Sequence, residues 1–131
     1  MHRTLLGHVG VDSGQLMVTD PCYVRQFVNN EFTTGDHEDI DTSYSYNGSC
    51  NQTCKTKNQG GELGNGLGLS FSSGFGDGHY PIYAYYEKVD GWGTRIKKVE
   101  IEFFTDEDLI DDEENDDAIS TWLGRTLLTF I

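Results

Sequence analysis

Basic residues are scarce in this chain: Lys and Arg number 9 against 22 Asp and Glu, for a formal net charge of -13. That balance repels phosphate backbones and argues against direct binding of nucleic acid. Basic protein surfaces and cations are left as the natural electrostatic partners. Long apolar runs are missing too. No stretch approaches the about 20 residues that span a bilayer. The opening MHRTLLGHVGVDSG lacks the apolar core of roughly 7–15 residues that marks a secretory signal. Cysteine is limited to Cys22, Cys50 and Cys54, an odd set that fits a reducing compartment better than a disulfide framework. A cytoplasmic protein without membrane association is therefore expected. In that setting the triplets Asn47-Gly48-Ser49 and Asn51-Gln52-Thr53 are expected to be plain polar loop.

What is abundant points to strands and turns. The chain has 16 Gly, 7 Tyr and 7 Phe among 131 residues, of which 36% are hydrophobic. Glycine with aromatics, and few alanines, favours short strands over a helix bundle. The length suits one domain able to bury a useful core. The negative charge is concentrated. Thr105–Asp117 holds nine acidic residues and no basic one, and the rest of the chain carries only -4.

Periodicity sketches the elements. Leu5–Thr19 reads as a hairpin in which Val9 and Val11, then Leu16 and Val18, alternate around an Asp12-Ser13-Gly14 turn. Asp20-Pro21 ends the second strand, because proline cannot donate to a ladder. Residues 25–62 are polar and irregular, with one short strand suggested where Tyr44 and Tyr46 alternate with serines. Leu67, Leu69 and Phe71 share one face of a further strand. The clearest pair is Tyr80–Lys88 and Thr94–Phe104, joined by Asp90-Gly91-Trp92-Gly93. Ile96 breaks the alternation of Val99, Ile101 and Phe103, which predicts a bulge near Lys97-Lys98. A short helix from Asn115 or Asp116 to about Leu123, with Ile119, Trp122 and Leu123 on one side, and a strand over Leu127–Ile131 complete the expectation. The fold class is thus mainly β: a two-sheet antiparallel sandwich or a strongly bent sheet, with a short C-terminal helix.

Four features carry possible chemistry. The loops GELGNGLGL and SGFGDGHYP alternate glycines, at 64, 66, 68 and at 74, 76, 78, yet a strand rather than a helix follows each. That context rejects a dinucleotide fingerprint and leaves either turn geometry or a backbone-lined ligand pocket. In the second loop Gly76, Asp77, His79 and Tyr80 would line such a pocket. If it met Asp12, Asp20 and the adjacent Cys22 in space, carboxylates, a thiol and an imidazole would form an acid–base or metal cluster. The simpler role for Asp12, Asp20 and Asp77 is to tie down turns by accepting backbone N–H bonds. Cys50-x3-Cys54 has a zinc-like spacing but lacks a second close pair, and Cys22 lacks an identifiable base, so neither a metal site nor a nucleophile is assigned. The acids Asp106, Glu107, Asp108, Asp111, Asp112, Glu113, Glu114, Asp116 and Asp117 fail the EF-hand pattern. They read as solvated charge or as an interaction surface for a basic partner.

Two stretches, Val11-Asp12-Ser13-Gly14 leading to Asp20-Pro21 and Gly74-x-Gly76-Asp77-Gly78-x-Tyr80-Pro81-x-Tyr83, resemble a domain-of-unknown-function family of bacterial and phage proteins. Its motifs have the form VDxG…DP and GxGDGxYPVY. Tyr44–Cys50 is similar to a YSYxGxC segment of phage-type members. The resemblance covers roughly half the chain and leaves out residues 105–131. It implies a compact β-rich domain and no particular activity. The leading functional expectation is a non-enzymatic acidic binding protein, phage-encoded, engaging a basic host protein as an inhibitor or DNA mimic without a cofactor. The alternative is a small-ligand module, nucleotide included, at the Gly-rich loop. A hydrolase built on Asp12, Asp20 and Asp77 comes third.

Overall fold

The computed structural model describes residues 2–33 and 39–110. The expected C-terminal helix at 115–123 and strand at 127–131 lie outside the described residues. The rest is mainly β, with two three-stranded antiparallel sheets. The strands are β1 (Arg3–Val11), β2 (Gln15–Thr19), β3 (Gly60–Leu63), β4 (Gly68–Ser72), β5 (Gly78–Val89) and β6 (Gly93–Ile101). Two helices join them, α1 (Tyr46–Lys55) and the five-residue α2 (Asp106–Ile110). No helix among the described residues is long and apolar enough to cross a membrane.

The first sheet has the order β1-β5-β6 and the second β2-β4-β3. The expected β1–β2 hairpin therefore does not form. β1 pairs with β5 from Arg3↔Tyr85 to Val11↔Gly78, and β2 pairs with β4 from Gln15↔Ser72 to Thr19↔Gly68. Asp12-Ser13-Gly14 carries the chain between sheets instead of closing a turn. A DSG triplet supplies the bend, but long-range pairing chooses the partners. Asp20-Pro21 does end β2: Asp20 accepts the Cys22 backbone N–H at 3.0 Å and caps a 3-10 turn over Pro21–Gln26.

The β5–β6 hairpin follows its sequence pattern closely. Val89 pairs with Gly93 across the Asp90-Gly91-Trp92 turn, and the register jumps from Tyr85↔Lys98 to Tyr86↔Ile96, leaving Lys97 as the bulged residue. Facing pairs share a side. Tyr80, Ile82, Ala84 and Tyr86 thus stand with Val9, Ile96, Val99 and Ile101 on one face. Arg3, Tyr83, Tyr85, Lys98 and Glu100 occupy the other. On that second face Arg3 sits 3.8 Å over the Tyr83 ring and bridges Glu100 and Glu102, each at 3.6 Å. Tyr85 donates to Glu100 at 2.6 Å, a bond that with Arg3 holds the Glu100 carboxyl below its ordinary pKa.

The irregular stretch expected at 25–62 contains α1 and β3, and the Tyr44–Tyr46 strand is a helix start. Ser45 caps α1 by accepting the Gly48 N–H at 2.9 Å. The glycosylation-like triplets lie in this helix, with Asn51 buried, and so are not loop. α1 packs on β3 and β4, and it buries Gly48, Ser49, Cys50 and Asn51 rather than an apolar stripe. On β4 the buried positions are Gly68 and Ser70, while Leu69 of the expected Leu67-Leu69-Phe71 face is exposed. Small residues on both sides bring helix and strand close, so the larger Leu69 turns outward. The core is correspondingly mixed, with Val11, Tyr44, Leu63 and Ala84 buried beside Ser45, Ser49, Ser70 and Ser73.

Candidate functional site

The loops at 12–14 and 73–80 meet at the junction of the two sheets. Gly14 donates its N–H to Asp77 Oδ1 at 2.8 Å, and its carbonyl accepts the Ser73 N–H at 3.1 Å. Gly14 has φ +68°, in the left-handed region that favours glycine. Ser73 Oγ donates to the Gly76 carbonyl at 2.7 Å, and the Tyr80 hydroxyl donates to the same oxygen. Tyr80 in turn meets Phe103 edge-on at 5.1 Å, and Phe103 lies 6.1 Å from Phe71 of the other sheet. A short polar clasp and an aromatic bridge therefore join the sheets.

Of the residues singled out from sequence, Asp12, Gly76, Asp77, His79 and Tyr80 all fall at this junction. Asp20 does not. It lies beyond the far end of β2, about 16 Å away for five strand residues, so the three aspartates do not gather in one site. The clasp spends its polar groups on its own backbone: Asp77 accepts from Gly14 and the Gly76 carbonyl is taken by two hydroxyls. The His79 ring lies against Gly10, where an added Cβ would sit 3.3 Å from it. This geometry matches turn-tying rather than a cradle for an anion. Removing the acceptor in Asp77→Ala is expected to lower unfolding free energy by about 1 kcal/mol, below the about 1.5–3 kcal/mol usual for a hydrogen bond to a charged group because this one is exposed. Asp77→Asn keeps an acceptor and should cost less. Urea midpoints for the two variants check this, and equal midpoints for wild type and Asp77→Ala would remove the clasp from the account.

The cysteines are all free thiols. Partial desolvation, then the hydrogen bond and charge of Asp20, hold the Cys22 thiol above its ordinary pKa, which disfavours the thiolate a nucleophile needs. Cys50 is buried and accepts from the Gln15 amide at 3.2 Å, while Cys54 is exposed. Among the described residues no group of three or more His, Cys, Asp and Glu is placed to hold a metal ion.

Two clefts escaped sequence reading. One of about 280 Å³ lies beside Asp20, Tyr23, Glu62 and Leu67, because the Thr19↔Gly68 register brings the loop after β2 next to the β3–β4 turn. The other, of about 240 Å³, is lined by Asp39, Asp41, Asn47, Asn51 and Lys55. There the Ser43 backbone N–H, then the Ser43 and Asn47 side chains, hold Asp41 below its ordinary pKa. The first cleft had no local signal, since it is assembled from segments far apart in sequence, while the second falls within residues 33–55 and depends on α1, which the sequence pattern did not show.

The acidic segment begins as structure. Thr105 N–H donates to Asp108 Oδ2 at 2.7 Å, and Asp108 N–H donates back to Thr105 Oγ1 at 3.3 Å, a reciprocal cap that starts α2. Asp106, Glu107 and Asp108 are exposed on it. The ion pairs among the described residues join Arg3 to Glu100 and Glu102, and Lys97 to Glu87, so none neutralises these three acids. Asp111, Asp112, Glu113, Glu114, Asp116 and Asp117 lie outside the described residues. A scan of protein-family models finds no match to the chain, and searches of curated proteins and of solved structures find none either.

Proposed function

We propose that this chain is a non-enzymatic binding protein that presents its acidic segment, Asp106–Asp117, to a basic protein surface. The observation behind this reading is the uncompensated charge of α2. Its acids project from a capped helix fixed to the end of β6 and form no ion pair with the described remainder. Aligned negative charge held on a scaffold raises encounter rates with a basic partner and competes with nucleic acid for it. The resemblance of VDSG…DP and GFGDGHYPIY to bacterial and phage proteins supports a phage setting, with a host cytoplasmic protein as the partner. The turn-tying bond of Asp77 to Gly14 and the separation of Asp20 from it make the ligand and hydrolase readings the weaker ones.

The test replaces the eight acids other than Asp108 with Asn or Gln, sparing Asp108 because it caps α2. Basic nucleic-acid-binding host proteins are passed over immobilised wild type and variant at low and high salt. Wild type should retain a partner at low salt and release it as salt screens the contact, and the variant should retain none. Equal retention by both chains at low salt would refute the proposal.

A further inference from the structure

The cleft at the far end of β2 belongs to neither the clasp nor the acidic helix, and its build fits one kind of side chain. It encloses about 280 Å³, less than the about 300–1,000 Å³ of sites that take a whole small molecule such as a nucleotide. One long side chain is the better match in size. Its walls are fixed from two directions. Thr19 Oγ1 donates to the Leu67 carbonyl at 2.8 Å and lies 2.7 Å from the Tyr44 hydroxyl, which locks the end of β2 to the β3–β4 turn. On the other side Tyr23 donates its N–H to the Asp20 carbonyl at 2.9 Å, so the 3-10 turn holds Tyr23 beside Asp20. A cleft held in this way is formed before anything enters it, which lowers the cost of binding.

The lining is divided between apolar wall and charge. The pairs Val18↔Leu69 and Leu69↔Glu62 set three side chains in one row across β2, β4 and β3. Val18 is 58% and Leu69 41% exposed, so the row faces outward, away from α1. Glu62 stands at one end of it, and Asp20 lies two residues beyond Val18 at the other. The ion pairs among the described residues include neither carboxylate. We propose that this cleft receives a single arginine side chain of a partner protein, its methylenes on Val18 and Leu69 and its guanidinium between Asp20 and Glu62. Charge complementarity selects a cation, and the net charge of -13 draws one in. Geometry selects arginine over lysine. Two strand spacings of about 4.8 Å each separate β2 from β3. The guanidinium fork has donors on both sides and reaches both carboxylates, while an ammonium is a compact point charge that meets one. Tyr23 in the lining adds an aromatic surface of the kind on which guanidinium stacks. The stem lies on apolar wall and the charge stays at the rim, as long basic side chains prefer. The cleft stands on its own observations and does not rest on the acidic run.

The probe is the capped tripeptide Gly-Arg-Gly, with citrulline and lysine versions, titrated into isotope-labelled full-length chain and followed by backbone amide shifts. The arginine peptide should give saturable shifts centred on residues 18–23 and 66–69. Citrulline, which keeps the shape and loses the charge, should bind about tenfold more weakly, and lysine about threefold. Glu62→Gln, on an exposed side chain, should weaken the arginine peptide about threefold. Asp20→Asn, which keeps an acceptor for the turn, should do the same. Replacing the eight acids of the 106–117 segment should leave these shifts in place, whatever it does to retention of basic proteins, so the two proposals fail separately. Equal binding of the arginine and citrulline peptides, or of the arginine and lysine peptides, would overturn the proposal. So would shifts that survive both Glu62→Gln and Asp20→Asn, or that centre on residues 106–110 and vanish with the eight acids.

Discussion

Gly48→Ala should destabilise the protein by about 3 kcal/mol, at the upper end of the usual cost of overpacking a close-packed site. In the interior of an exposed helix the same change would stabilise by up to about 1 kcal/mol, because alanine is the better helix former. Contact decides the sign here. A Cβ at Gly48 would sit 2.0 Å from the Ser43 carbonyl oxygen and 3.0 Å from its carbon. Ser43 cannot easily retreat. Its N–H donates to Asp41 Oδ1 at 2.9 Å, its carbonyl accepts the Ser45 N–H at 2.9 Å, and its hydroxyl lies 2.8 Å from that of Ser45, the α1 cap. Relief of the clash must therefore pull apart the cap or the Asp41 turn. A fall of about 10 °C in Tm is expected for a domain of this size. A raised midpoint in urea would show that the 41–45 turn does not press on α1.

That contact also explains why α1 was hidden from sequence reading. Its buried positions, Gly48, Ser49, Cys50 and Asn51, are poor or indifferent helix formers and show no apolar repeat. Helices of this kind exist because tertiary packing overrides propensity, and the partner surface of Gly68 and Ser70 is 20 residues away. Only the Ser45 cap was a local signal, and it was masked by the Tyr44-Ser45-Tyr46 alternation. The β5–β6 hairpin was legible down to its bulge, because turn, alternation and register are all local there. β1 and β2 were legible as strands but not as partners, since the DSG bend serves a crossover as well as a turn. At the candidate site, sequence singled out the junction residues Asp77 and Tyr80 and the turn-tying role of Asp20. It could not tell that β2 separates Asp20 from Asp77. The start of α2 was readable in principle, since Thr105-x-x-Asp108 has the form of a capping box. The density of acids drew the reading to charge alone.

Gln15→Leu should cost about 2 kcal/mol, although leucine matches glutamine in size and suits a part-buried position. Gln15 is the one side chain of β2 that stitches to α1 at three points. Its Oε1 accepts from Thr53 Oγ1 at 3.0 Å and from Ser49 Oγ at 2.8 Å, and its Nε2 donates to Cys50 Sγ at 3.2 Å. Ser49 Oγ also lies 2.7 Å from Ser70 Oγ on β4, so one amide closes a polar seam between helix and sheet. Leucine would strand the Thr53 hydroxyl and one Ser49 interaction in a part-buried place, and leaving such groups unmade costs about 1–3 kcal/mol. Removing both partners of one bond together is far less harmful than removing one. Thr53→Val in the Gln15→Leu background, with Ser49 keeping its bond to Ser70, should therefore recover part of the loss, although in the wild-type background Thr53→Val destabilises. The signature is non-additivity: the double variant should unfold at a higher urea concentration than the sum of the separate effects requires. Strict additivity would mean that the seam does not act as a unit and that shape alone holds β2 to α1.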